Sequence, residues 1–192
     1  LKPVPLSHQK ETRLHYELPS QDTLDDALKA HRMLFIPSKT CHHSQLSDKV
    51  NPDEAHIVAI LLGRIYRFYG NSFDADKTIG VIVPYRNQIA MIRKEIEKLG
   101  IKALERISID TVERYQGSQR DVIIYSFTVQ HRYQLDFLTA NCFEENGHII
   151  DRKLNVAVTR ARKQMIITGN EMVLNQDPIF KELIASCELG HL

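Results

Sequence analysis

"TIGVIVPYRNQIAMIRKEIEKLG", residues 78–100, sets two periodicities back to back. Thr78–Pro84 is a short apolar run, β-branched, without polar alternation and closed by proline, which marks a strand buried on both faces. From Arg86 onward the period changes. Ile89, Ile92, Ile96 and Leu99 recur three and four apart, and Gly100 stands at the C′ position of a helix. A buried strand feeding directly into an amphipathic helix is the unit from which parallel α/β sheets are built.

The same alternation runs outward in both directions. "RMLFIP" (32–37) is a buried strand stopped by Pro37, and "SKTCHHSQLSDKV" is loop-like. "NPDEAHIVAILLGRIYRFYG" (51–70) carries helix signals in order: Asn51 as N-cap, Pro52 at the first position, acids in the first turn and Gly70 at the end. Toward the C-terminus, "ISID", "DVIIYS" (121–126) and "QMIITG" are strands, while "RKLNVAVTRARK" and "PIFKELIASC" are helices. These elements predict an α/β domain of three layers, a mostly parallel sheet with helices on both faces over residues 31–192. Residues 1–30 are polar and contain Pro3, Pro5 and Pro19, and they read as a lead-in from an upstream lobe. The chain starts at Leu1, as an excised fragment would. Residues 127–150 form one long irregular stretch, a length that usually serves function.

Composition narrows the chemistry. With 43% apolar and 26% charged residues, the chain is of ordinary globular make-up, and no apolar run is long enough to span a membrane. Cys41, Cys142 and Cys187 are odd in number and lack CxxC spacing, which argues against disulfides and structural zinc. A reducing cytoplasmic setting follows, or the nucleus in a eukaryote. "CHH" (41–43) has no second ligand pair at metal spacing, so no metal site is expected. A net charge of +1 leaves any nucleic-acid binding to local basic clusters.

Three polar stretches flank the strands: "PYRNQ" (84–88), "TVERYQGSQRD" (111–121) and "TRAR" (159–162). Ligands of such sheets gather beyond the C-terminal ends of the strands. Each stretch has an ordinary reading too: a turn into a helix, a polar connection, and a basic helix end that complements the helix dipole. Functionally, Tyr85 and Arg86 could meet a phosphate backbone by stacking and charge. Gly117 allows close backbone approach, with Thr111, Gln116 and Gln119 as hydrogen-bonding groups. In a helix over 153–162, Leu154, Ala157, Val158 and Ala161 share the inner face, leaving Arg160 and Arg162 to face outward, as an arginine that stabilises charge on a γ-phosphate would. No GxxxxGK[ST] loop occurs, so this chain has no phosphate cradle of its own.

Taken in series, "VIVPYRNQ", "IDTVERYQGSQRDVIIYS" and "LNVAVTRARKQMIITGN" resemble the C-terminal RecA-like domain of superfamily 1 helicases, over about residues 32–175. The branch it is most similar to includes the nonsense-mediated-decay and Okazaki-fragment-processing helicases. The resemblance implies that Arg160 is an arginine finger for the γ-phosphate of ATP. It implies that Thr111 touches the nucleic-acid backbone, with Tyr85 and Arg86 beside that track, and that Gly117 lies near the nucleotide. The family usually carries an acid two positions after that glycine to hold the ribose hydroxyl; Gln119 stands there instead. "TANCFEENGHII" (139–150) is an insertion relative to the family pattern. The implied function is the second motor lobe of a 5′-to-3′ helicase acting on a single strand, DNA by expectation. ATP and Mg2+ would be held mainly by an N-terminal motor lobe of the same protein, so this chain alone would not hydrolyse ATP. The competing reading is a catalytically silent RecA-like interaction module. A nuclease–helicase fusion finds no paired-carboxylate pattern here.

Overall fold

The computed structural model describes residues 16, 18–39, 47–115, 119–140, 142–145 and 148–192, with only the backbone of 143–145, 148–150 and 152. Its centre is a six-stranded, all-parallel sheet, in agreement with the expected α/β fold. The strands are β1 (Met33–Pro37), β2 (Ile79–Val83), β3 (Ser108–Thr111), β4 (Arg120–Ser126), β7 (Ala161–Gly169) and β8 (Glu188–Leu189), in the order β3-β2-β4-β7-β1-β8. A separate antiparallel pair, β5 (Cys142–Glu145) and β6 (His148–Asp151), falls in the stretch expected to be irregular.

Strand residues alternate between two cores, as the period of two requires. Leu34, Ile36, Val81, Val122, Ile124 and Ile166 face one. There they meet α1 (Thr23–Ala30), α2 (Pro52–Tyr69), α3 (Arg86–Leu99) and α4 (Lys102–Glu105). Phe35, Ile82, Ile123, Tyr125, Met165 and Ile167 face the other. That face is covered by α5 (Tyr133–Leu138), α6 (Arg152–Thr159), α7 (Glu171–Leu174) and α8 (Pro178–Ala185). Three layers result.

The helix signals of α2 are realised. Asn51 accepts from the amides of Asp53 and Glu54, Pro52 occupies the first turn, and Gly70 ends the helix at φ 48°. Gly100 ends α3 in the left-handed conformation. Two expectations shift. Thr23–Ala30, inside the stretch read as a lead-in, is a helix whose Leu24 and Leu28 enter the core. The helix expected over 153–162 stops at Thr159, because β-bridging to β4 begins at Ala161, so Arg162 lies on a strand.

Gly80 in β2 shows a close approach that only glycine permits. A Cβ there would lie 1.6 Å from the Tyr115 hydroxyl. Tyr115 belongs to the short link between β3 and β4, and its ring lies back along the sheet beside Arg120, whose guanidinium is 5.8 Å away.

Candidate functional site

The predicted site residues divide between opposite ends of the sheet. Because all six strands run parallel, the starts of β4 and β7 share one end, and the finishes of β2 and β3 share the other. Of the three polar stretches, "PYRNQ" and Thr111 thus lie at the C-terminal end, where ligands of such sheets gather, whereas Gln119 and "TRAR" lie at the N-terminal end.

Arg160 and Gln119 meet at the N-terminal end. Arg160 follows the last residue of α6, its amide bonded to Ala157 O at 3.1 Å. Its guanidinium folds back on the same helix, Nε donating to Val156 O at 3.2 Å and Nη2 to Thr159 Oγ1 at 3.3 Å. Gln119 Nε2 donates to Thr159 O at 3.3 Å, and the Arg120 amide donates to Arg160 O at 2.9 Å. Both side chains therefore serve the carbonyl end of α6, where cations and donors complement the helix dipole. Arg120 is buried beside them, its guanidinium donating to Gln119 O at 3.0 Å and Ser108 Oγ at 2.9 Å. Arg162 is exposed at the same end. Gly117, and Gln116 beside it, lie outside the described residues.

Tyr85, Arg86 and Thr111 stand at the C-terminal end. Tyr85 is the N-cap of α3 and is only 9% exposed, its ring stacked on Phe137 of α5 with centroids 5.3 Å apart. Burial pushes the Tyr85 hydroxyl above its ordinary range, against a hydrogen bond from Gln134. Arg86 is exposed. Thr111 closes β3 and is 8% exposed. Lys153, at the start of α6, links these groups: its ammonium lies 4.6 Å from the Phe137 ring centroid and 3.1 Å from Glu113. Burial works to raise the Glu113 carboxyl. Hydrogen bonds from its own amide, Lys153 and Thr111 outweigh that and hold it below the usual range. A chain of contacts thus runs Tyr85–Phe137–Lys153–Glu113–Thr111.

Phe137 escaped the sequence reading because 127–150 looked irregular, and Lys153 because it stood only as one residue of the expected helix "RKLNVAVTRARK". The available signal was "YQLDFL" (133–138): Leu135 and Leu138 form a helical stripe, and Phe137 is a large apolar residue off it. Both leucines are buried.

Beneath this end lies a buried polar knot. Glu54, fully buried, accepts from Ser126 Oγ at 2.6 Å and from the Thr128 amide at 2.8 Å, and on its other oxygen from Ser38 Oγ and Asn51 Nδ2, both at 3.3 Å. Gln88 and Asn51 exchange side-chain-to-backbone bonds at 2.9 Å. Gln134 accepts from the Gln130 and His131 amides and donates to Asp48 O at 2.8 Å, which fixes α5 to the loop before α2. Thr128 sits at φ 59°, a strained setting for a β-branched residue, held by the bond its amide gives Glu54.

No group of His, Cys, Asp or Glu suited to a metal ion occurs among the described residues; the "CHH" stretch lies outside them. Nor, among them, is any helix long and apolar enough to cross a membrane.

Residues 6–172 match a family model described as an AAA domain. The chain is 28% identical over 149 residues to "Probable helicase MAGATAMA 3" of Arabidopsis thaliana, covering 77% of this chain and 17% of that protein. It is 38% identical over 111 residues to "Regulator of nonsense transcripts 1" of Dictyostelium discoideum, covering 56% of this chain and 8% of that protein. To "DNA replication ATP-dependent helicase/nuclease DNA2" of Xenopus laevis it is 32% identical over 130 residues, 68% of this chain and 11% of that protein. The chain therefore spans less than a fifth of the length of each of these relatives.

Proposed function

The chain belongs to the AAA domain family and is a superfamily 1 helicase domain, and from that premise we propose that it is the second motor lobe of an ATP-dependent 5′-to-3′ helicase. In this reading ATP and its magnesium are held mainly by an N-terminal lobe. Arg160 swings from its own helix end to the γ-phosphate, and Gln119 and Gly117 lie near the nucleotide. A neutral amide can hydrogen-bond a ribose hydroxyl, without the added strength that a charged acceptor brings. Tyr85, Arg86 and Thr111 line the track of a single strand, with DNA as the preferred substrate.

One observation carries the reading. Arg160 and Gln119, 41 positions apart in the chain, converge on one helix terminus at one end of the sheet, while the three nucleic-acid candidates cluster at the other. That separation suits a lobe that senses nucleotide on one side and grips a strand on the other.

The experiment is Arg160→Ala in the full-length protein that carries this chain, reading strand-stimulated ATP hydrolysis on DNA and RNA oligonucleotides. Loss of turnover on the order of 10³–10⁵-fold is expected. Retained turnover with unchanged unwinding would overturn the finger assignment. The 192-residue chain assayed alone is expected to stay at background.

The folded-back guanidinium favours a second reading, a catalytically silent module of the same fold in which Arg160 only caps α6. There, Arg160→Ala lowers stability and leaves ATP hydrolysis by the full-length protein intact.

A further inference from the structure

We propose that Phe137 is a base-stacking platform for a single strand of nucleic acid, with Lys153 supplying a contact to the adjoining phosphate. The proposal rests on the nucleic-acid reading above and adds to it the residues that hold the bases.

A base-stacking site needs a flat ring that is open to solvent, held rigidly and accompanied by positive charge. Phe137 is 47% exposed, although Leu135 and Leu138 of the same short helix are buried. Apolar burial therefore anchors α5 and leaves its aromatic ring outside. Tyr85 backs that ring at 5.3 Å and an interplanar angle of 20°. The Gln134 hydrogen bonds to the Gln130 and His131 amides and to Asp48 O fix the helix that carries it. The order of roles is thus the reverse of what the sequence suggests: Tyr85 is the buried support, and Phe137 is the exposed ring.

The charge is in place as well. Lys153 Nζ stands 4.6 Å from the Phe137 centroid, so the ring is covered there by a single cation on a long aliphatic stem rather than by packed apolar atoms. An arriving base takes that place, and the ammonium moves to the neighbouring phosphate, exchanging the Glu113 carboxylate for a phosphodiester of equal charge. Arg86, exposed at the start of α3, has no side-chain partner among the described residues and lies next in sequence to the ring that supports Phe137. Tyr133, 58% exposed and stacked on His131 at 5.5 Å, presents a second aromatic face one position before Gln134. A purely apolar protein partner would gain from the ring but not from the cation over it. A single strand uses both.

The test titrates the 192-residue chain with two fluorescent oligonucleotides of equal length and charge, one normal and one abasic at every position. Phe137→Ala is expected to weaken binding of the normal strand about tenfold and to leave the abasic strand unchanged. Lys153→Gln lowers the salt dependence of both by about 0.7 in the logarithmic slope. The chain contains no tryptophan, so Phe137→Trp places a lone indole at the platform. It is expected to keep its affinity and to lose emission when the normal strand stacks on it. Equal binding of the normal strand by parent and Phe137→Ala overturns the proposal and leaves the ring to a protein surface. So does equal weakening on both strands, which would mark a general structural effect. If the parent binds neither strand, the nucleic-acid reading falls together with the platform.

Discussion

Glu54 occupies the first turn of α2, where a carboxylate ordinarily faces solvent and complements the helix dipole. Here it turns inward and joins the ends of β1 and β4 through Ser38 and Ser126. Burial, aided by the nearby charge of Asp53 and opposed by the hydrogen bonds it accepts, pushes its carboxyl from 4.5 up to about 7. Between those two values the folded chain retains a proton that the unfolded chain has released. Stability from this group is therefore complete below the lower value and declines as pH rises through the upper one. We expect urea midpoints to fall between about pH 5 and about pH 7.5, and Glu54→Gln to flatten that decline. An unchanged slope in the variant would assign the effect to other groups. The sequence showed this residue as a first-turn acid and nothing more, because all its partners but Asn51 come from 16 to 74 positions away.

Among the elements, α1 is held by charge as well as by Leu24 and Leu28. Asp25 is buried and receives Arg64 Nη1 at 3.0 Å, Arg67 Nη2 and the Gln21 amide at 2.8 Å. Burial alone would raise its carboxyl; the Gln21, Arg67 and Arg64 contacts outweigh it and hold the group below the usual range. Its contribution is present above the unfolded value and is lost as pH falls through the folded one. Asp25→Ala, which removes the buried acceptor of both arginines while Arg64 keeps Asp22 at 2.7 Å, is expected to cost about 1.5–3 kcal/mol in chemical denaturation at neutral pH. In β2, Gly80→Ala must displace the Tyr115 ring and is expected to cost about 1–3 kcal/mol, with the amide exchange of Val112–Tyr115 accelerated. Strands and long helices were legible because β-branched runs, Asn51, Gly100 and the isoleucine stripe are local signals. The end of α6 was not, since the Arg160–Ala161 boundary is set by pairing with β4 across the sheet. Phe137 was hidden for a similar reason: its exposure has meaning only once Tyr85 lies behind it.

The whole molecule separates its two sets of candidate residues by the length of its central strand. Seven residues of β4 at roughly 3.3 Å each place the ends about 20 Å apart. Arg160→Ala is accordingly expected to leave oligonucleotide affinity unchanged. Combined with Phe137→Ala, it should show a cross-term of no more than about 0.5 kcal/mol in binding. A larger value would mean that the two ends communicate in the ground state. Both ends nonetheless hang on the same element. At its start, the Arg120 amide holds the carbonyl of Arg160; at its finish, Ser126 holds Glu54 and with it the loops that seat α5. Neighbours bond β4 along both sides, and its one register irregularity falls between Arg120 and Val122, beside Arg160. In mechanical terms β4 is a strut braced on both sides, with its one irregular joint at the tip beside Arg160. A displacement applied at that tip would meet the irregular pairing first, and beyond it the continuous ladder from Val122 to Ser126.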